Sequence, residues 1–414
     1  MYCEGTDVDP NLILALTAHN GGATFLPALR SLRWYQSPSA GRALLKLACP
    51  SLTTLELQHH SQFKHDRQED LADVLALLPS TFPALRSLHI DGILLLNPPT
   101  STVFYSSIPS FQNLRKLGVT ANVTWDDLHS FIAPLEELQL RFTGPDTWSD
   151  RGTLLAPNLQ ILTCEGQFSV MGAFLSSISA PKLDAVRLKS YADSEFPQAG
   201  GDLGVPYPDV TAVLDALTTS QPSICNLALE MCVEINDNDT DKDLIRDVLY
   251  PCLKLSQLKQ LEVIDYSGDE EPQSLYCSDK GILSLAQNLK HLTRLQLPDY
   301  FYKSPSQSMS LTSLVPLSLH CPQLTHLCLG LDTLLPTGPA PVITLPPPEH
   351  LHPLKTLLVG MPSTAHDSAT IAECARVLHR LFPALDIDDS RARSLPLLDE
   401  LWDELERVQL GSST

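Results

Sequence analysis

The 414-residue chain is poor in basic residues: 28 Lys and Arg stand against 48 Asp and Glu, a formal net charge of −20. A surface that holds nucleic acid needs a surplus of cations to displace the counterions of the phosphate backbone, and this composition argues against one. No basic amphipathic stretch is present to hold an anionic membrane surface. Long apolar runs are missing too, and none approaches the ~18 residues that a membrane span requires. The first ten residues, MYCEGTDVDP, have neither the basic n-region nor the apolar h-region of a secretory signal. Ten cysteines are scattered along the chain without a CxxC pair. Several stand where a small apolar residue belongs, which predicts reduced, buried thiols in a cytoplasmic or nuclear protein. The sequons at Asn122 and Asn238 would then stay unmodified.

What the chain has in abundance is one phrase. FLPALRSLRW (25–34), FPALRSLHI (82–90) and APNLQILTC (156–164) are versions of it. Written as L-x-x-L-x-L, with aliphatic, aromatic or Cys substitutions, it begins at Leu29, Leu52, Leu85, Leu114, Leu135, Leu159, Leu183, Ile224, Leu258, Leu292, Leu324 and Leu354. Successive starts lie 21 to 41 residues apart, room for one strand, one helix and two turns. The last two apolar positions alternate, so both fall on one face of a short strand. Seven phrases have a proline two residues before the first leucine: Pro27, Pro50, Pro83, Pro157, Pro181, Pro222 and Pro322. Proline cannot continue a helix, so it ends the preceding element and aims the chain into the strand.

The intervals predict helices. DRQEDLADVLALLP (66–79), WDDLHSFI (125–132), DVTAVLDALTT (209–219), TDKDLIRDVLYPCL (240–253) and SDKGILSLAQNL (278–289) combine an apolar stripe with capping or acidic residues near the start. A strand–turn–helix unit cannot bury its apolar face alone, and stacking such units solves that. These residues resemble leucine-rich repeats, L-x-x-L-x-L-x-x-N/C-x-L, over roughly residues 24–390. The resemblance implies an α/β solenoid with a curved parallel sheet inside and helices outside. The chain departs from the pattern at the ninth position, where only Asn122 and Cys232 fit, so the repeats are irregular.

DPNLILALTAHNGG (9–22) reads as a helix with Asp as N-cap, Pro at its first position and Gly past its end. Residues 1–23 then form an incomplete amino-terminal cap. HDSATIAECARVLHRLFPALDI (366–387) predicts a helix and a last short strand. In 391–414, SLPLLDELWDELERVQL places Leu398, Leu401, Trp402, Leu405 and Val408 on one helical stripe, a cap with a polar outer face. Insertions at 190–208, 266–279, 300–310 and 331–350 all follow a strand and are expected on one rim.

Chemistry-bearing patterns are sparse. There is no HExxH, GxSxG, Walker loop or GxGxxG. Asp237, Asp239 and Asp241 have calcium-loop spacing, but Lys242 stands where the loop needs Gly and Val248 where it needs Glu. His59 and His60 would point to opposite sides of a strand. Cys321 and Cys328 flank one phrase without an identifiable base. The expectation is a non-enzyme with no catalytic residues, metal or cofactor.

A binding surface is the alternative. The second, fourth and sixth residues after each first leucine face the open, concave side of the sheet. Those columns carry six basic residues (Arg33, Lys116, Arg141, Arg187, Lys189, Arg294) and six acidic ones (Glu56, Asp91, Glu137, Glu165, Glu230, Glu262), a neutral face on an acidic protein. The candidate partner-binding residues are Arg33, Tyr35, His89, Lys116, Gln139, Arg141, Arg187 and Lys189. Arg141, Arg187 and Lys189 are the cations expected to meet carboxylates or phosphates of a protein partner. On this reading, reversing Arg187 and Lys189 to Glu weakens capture of that partner.

FLPALRSLRW, CPSLTTLEL, CPQLTHLCLGL and the closing LFPALDI…LPLLDELWDELERVQL resemble the leucine-rich arrays of F-box proteins from mushroom-forming fungi. In that family an amino-terminal F-box binds the Skp adaptor of a cullin ubiquitin ligase, and the array holds the protein to be ubiquitinated. No L-P-x-E-hydrophobic segment precedes the repeats here, so the F-box itself is missing from the pattern. The resemblance implies target recognition by the array. A free-standing scaffold with no link to a ubiquitin ligase is the other reading.

Overall fold

The repeated phrase is built around a turn. The N–H of the first leucine bonds the carbonyl three residues earlier in Leu26–Leu29, Cys49–Leu52, Phe82–Leu85, Ala156–Leu159, Ala180–Leu183 and Cys321–Leu324, at 3.0 to 3.2 Å. In each, the proline of the phrase is the second turn residue, the place where its fixed φ is already that of the turn. The proline therefore does more than end the preceding element: it shapes the corner through which the chain enters the strand.

These observations come from a computed structural model, which describes residues 10–21, 26–36, 40–47, 49–59, 69–90, 98–119, 123–142, 148, 152–190, 205–231, 233–234, 242–265, 275–298, 309–331, 352–360, 368–393 and 399–412. The chain divides into two units, 1–166 with 177–183, and 167–176 with 184–414. In the first unit, six parallel strands follow in chain order: β1 (Ser31–Gln36), β2 (Thr54–His59), β3 (Ser87–Ile90), β4 (Lys116–Val119), β5 (Glu137–Arg141) and β6 (Ile161–Glu165). The second unit repeats the arrangement with β7 (Ala185–Lys189), β8 (Asn226–Met231), β9 (Gln260–Asp265), β10 (Arg294–Gln296), β11 (His326–Gly330) and β12 (Thr356–Gly360). Each of the twelve phrases has become one strand of a leucine-rich-repeat architecture, and each pairs in zero-offset register with its neighbours inside the unit.

One backbone contact sets that register. The carbonyl of the residue after the first leucine accepts two successive N–H groups from the next repeat. Arg30 O receives Thr53 N at 2.8 Å and Thr54 N at 2.9 Å, and the same pair recurs at Thr53, Arg86, Arg115, Glu136, Asp184, Cys225, Lys259, Thr293 and Thr325. Side chains reinforce it at the corner: Ser51 Oγ donates to Pro27 O at 2.6 Å, Asn113 Nδ2 to Pro83 O at 2.9 Å and Asn158 Nδ2 to Ala133 O at 3.1 Å. These polar groups precede the first leucine, at the opposite end of the strand from the ninth position of the repeat pattern.

The alternating apolar residues turn inward. Leu55, Leu57, Leu138, Leu140, Leu162, Leu188, Leu229, Leu295 and Leu329 are all fully buried. The helices α1 (Pro10–His19), α2 (Ala40–Leu47), α3 (Glu69–Thr81), α4 (Pro98–Ser107) and α5 (Trp125–Phe131) belong to the first unit. α6 (Phe168–Ser177) and α7 (Tyr207–Ser220) are followed in the second by α8 (Asp279–Asn288), α9 (Leu314–His320), α10 (Ser368–Leu381), α11 (Ile387–Arg393) and α12 (Asp399–Ser412). Pro10 opens α1 and Gly21 follows its end with φ +63°, as the sequence predicts. The insertions lie largely outside the described residues, as do Asp237, Asp239, Asp241 and His60.

Two predicted elements differ. The helix expected over 240–253 is a π-turn at Leu244–Val248 followed by a 3-10 turn at Tyr250–Lys254. Pro251 has no N–H for the Asp247 carbonyl, so an α-helical ladder cannot pass through it. Leu249 N instead reaches back five residues to Leu244 O at 2.8 Å. The last short strand, expected near 387, is the helix α11. Asp386 N still bonds Lys355 O at 2.8 Å, extending the ladder by one rung, but its Oδ1 accepts Asp389 N at 3.0 Å and starts a helix. α11 then serves β12: Ser390 Oγ accepts Leu357 N at 3.1 Å, and Thr356 Oγ1 donates to Asp389 Oδ2 at 2.8 Å. In α12, Leu401, Trp402 and Leu405 are buried while Asp403 and Glu406 are exposed.

On the helical side, carboxylates link one repeat to the next. Asp279 accepts Ser310 N, Ser310 Oγ and Thr312 Oγ1, each at 3.0 Å, and also Ser313 Oγ. Ser310 and Ser313 are buried, so removing the carboxylate strands donors that water cannot reach. Asp279→Ala is expected to lower unfolding free energy by about 2–3 kcal/mol. The exposed neighbour change Lys280→Ala should stay within about 0.5 kcal/mol; urea melts of the two variants check this.

Burial also fixes the state of the thiols. Cys252, Cys321 and Cys374 are fully buried, and desolvation pushes each up to about 12 from 9.0. Burial pushes Cys164 up as well, helped by the charge of Glu165. A thiol held protonated in the folded state contributes stability in full below the unfolded value of 9.0 and loses it as pH rises from there toward about 12. Each should cost about 1.4 kcal/mol per pH unit in that window. Cys252→Ala should therefore flatten the fall of Tm above about pH 9, measured in reductant. Parallel slopes for variant and parent would contradict the assignment. Iodoacetamide on the native protein should label Cys225 and Cys328, both half-buried, before these three.

Candidate functional site

Because side chains alternate along a strand, the residues between the buried leucines emerge on the opposite face of each sheet. In the first unit that face carries Arg33, His89, Lys116, Gln139 and Arg141, all exposed or half-buried. Tyr35 takes its place in β1 in register with Gln58. The parallel register sets each residue beside the residue of the same column in the next repeat, and the charges use this. Arg33 Nε lies 2.8 Å from Glu56 Oε2, and Lys116 Nζ lies 2.6 Å from Glu137 Oε2. Gln139 Nε2 donates to Glu165 Oε1 at 3.1 Å, and Arg141 is in register with that same Glu165.

His89 is placed by a glycine. A Cβ on Gly118, its register partner on β4, would meet His89 Nδ1 at 2.1 Å. The imidazole therefore lies over the bare backbone of the next strand, and any larger residue there would displace it.

In the second unit, Arg187 and Lys189 share one carboxylate. Arg187 Nε is 3.2 Å from Glu230 Oε1, and Lys189 Nζ is 3.2 Å from Glu230 Oε2. The Glu230 side chain is only 7% exposed, against 50% for Arg187 and 25% for Lys189. Exposed pairs such as Arg33–Glu56 contribute about 0–1 kcal/mol. Glu230 differs, because a carboxylate taken out of water depends on its cations. By its column in the phrase Glu230 is one of the acids of the face. The signal was present: Glu230 and Lys189 occupy the same column of adjacent phrases, so register alone pairs them.

The arrangement is thus a polar sheet face whose cations are largely matched to carboxylates one strand away. Among the described residues no group of three or more His, Cys, Asp or Glu side chains is placed to hold a metal ion. Cys328 lies half-buried on the face, whereas the Cys321 thiol is buried 3.6 Å from Leu289 O and 3.8 Å from Ala286 O. Among the described residues no helix is long and apolar enough to cross a membrane.

No protein-family model matches the chain, and no curated protein matches it. Similar solved chains occur in the yeast Rad7–Elc1 complex (15% identity, TM-score 0.40, covering 91% of this chain and 82% of that one). Others occur in a Bacteroides fragilis protein (14%, 0.37, 89% and 77%) and in the mouse RP105/MD-1 complex (15%, 0.40, 92% and 67%). Scores this low bear on neither function nor partner. The fold assignment rests on the strands, turns and registers described above.

Proposed function

We propose that the chain is a non-catalytic protein-binding array whose partner docks on the open face of the sheet. We further propose that it acts as the target-recognition part of an F-box type ubiquitin-ligase receptor. The observation that carries the binding reading is the paired-charge face itself. Strand after strand presents exposed or half-buried polar side chains held in place by a neighbour, while the apolar residues of the same strands are buried on the other side. Prepositioned polar groups lose less freedom on association than mobile ones. The ligase role is supported only by the sequence resemblance, and a free-standing scaffold is its rival.

Glu230 changes how this reading is tested. The reversal Arg187→Glu with Lys189→Glu would gather three carboxylates around a buried site and should destabilise the second unit by about 3–5 kcal/mol. Weakened capture by that variant would report misfolding as readily as lost contacts. A cleaner experiment installs a photo-crosslinking residue at Thr163 on the open face, or at the exposed Gln287 of α8, in the otherwise native chain. Cross-linking in lysate from Thr163 and not from Gln287 is the expected result. Cross-links confined to Gln287 would move the docking surface to the helices and sink the proposal. Skp adaptor and cullin in the captured material would support the ligase role, and their absence from a saturated capture would favour the scaffold.

A further inference from the structure

The structure assigns an anion pocket to the leading ends of β2, β3 and β4, and we propose that it takes a phosphorylated side chain of the protein partner. The inference rests on the protein-binding reading above and specifies the chemistry of one contact. The cavity is about 690 Å³. Arg86, Arg115 and Lys116 line it, and among the described residues Glu136 is the one carboxylate in its wall.

Register builds its floor. Thr54, Ser87 and Lys116 are Cα partners on three adjacent strands, so two hydroxyls and an ammonium stand in a row. Neighbouring strands are about 4.8 Å apart, a spacing at which adjacent side chains can share the oxygens of one tetrahedral anion. Arg86 and Arg115 each precede a member of that row by one residue. Among the described residues the side chains of Arg86, Thr54 and Ser87 have no hydrogen-bond or ion-pair partner, and all three line the cavity. Arg115 is held loosely, 3.8 Å from Glu136 Oε1, with one Nη donating to Leu114 O at 2.9 Å. Lys116 is paired with Glu137 at 2.6 Å. Among the described residues three cations therefore meet two carboxylates, a local positive excess on a chain of net charge −20.

A carboxylate ligand would bring two oxygens and one charge. A phosphomonoester brings three acceptor oxygens and a charge near −2, which matches a guanidinium beside a row of hydroxyls and an ammonium. The lining residues are exposed or half-buried, so the pocket is open to solvent at the leading ends of the strands, beside the face given to the partner, instead of enclosing a free metabolite. A nucleic acid would set a long run of phosphates against the surrounding acidic surface, which disfavours it.

The test uses the full chain and two immobilised degenerate peptide libraries that differ only in phosphoserine or serine at one fixed position. The expected result is at least tenfold greater retention on the phosphoserine library, abolished in Arg86→Ala/Arg115→Ala and reduced in Ser87→Ala. Both arginines are surface residues, and an unchanged Tm shows that the double variant is folded. Equal retention on the two libraries, or a preference surviving in the folded double variant, would overturn the proposal. So would inorganic phosphate binding as tightly as the phosphopeptides, since the pocket would then be a site for a small free anion. If the preference is absent while cross-linking from Thr163 persists, the pocket proposal fails and the protein-binding reading stands. Loss of both would remove the two together.

Discussion

The strands of each unit depend on a carbonyl that accepts twice. The residue after each first leucine receives two successive N–H groups from the following repeat, and this fixes where the next strand starts relative to the last. A side-chain period of two makes any slip by one residue ruinous, because every buried leucine would emerge on the polar face. The proline turn supplies the geometry upstream of that carbonyl, and the buried leucines supply the free energy downstream. The helices are consequences: they return the chain to the next turn and cover the apolar side.

The same register explains the charge pattern of the open face. Arg33 with Glu56, Lys116 with Glu137 and Lys189 with Glu230 are opposites in the same or an adjacent column of neighbouring repeats. A face read as neutral by counting is neutral by local pairing, which is a different physical object. Counting leaves the cations available to a partner, whereas pairing commits most of them to structure. Arg86 has no ion-pair partner among the described residues, and there the charge stays unspent.

The strands were fully legible in the sequence because leucine spacing and proline placement are local signals, and all twelve phrases became strands. The two misread elements were also governed by local chemistry, in a competing form. Pro251 sits in a segment whose apolar stripe predicts a helix that its missing N–H forbids, and Asp386 caps a helix where FPAL predicts a strand. The site was less legible. Position on the face followed from alternation, but the partners of Arg187, Lys189 and His89 required knowing which residue stood one strand over. For Lys189 and Gly118 that knowledge lies in the alignment of adjacent phrases, whereas alignment sets Arg187 beside Ala228 and only the structure shows it reaching Glu230.

The last strand of the second unit carries a further meaning. A parallel strand at an edge offers unpaired amide and carbonyl groups to any other strand it meets. At β12 the α11 helix answers that exposure with Ser390 on Leu357 N and Asp389 on Thr356, after a single rung of ladder from Asp386. A phrase that begins as another repeat is thus diverted into a plug. The Ser390 hydroxyl thereby takes the Leu357 N–H, an edge donor that an incoming strand would otherwise need for its own ladder.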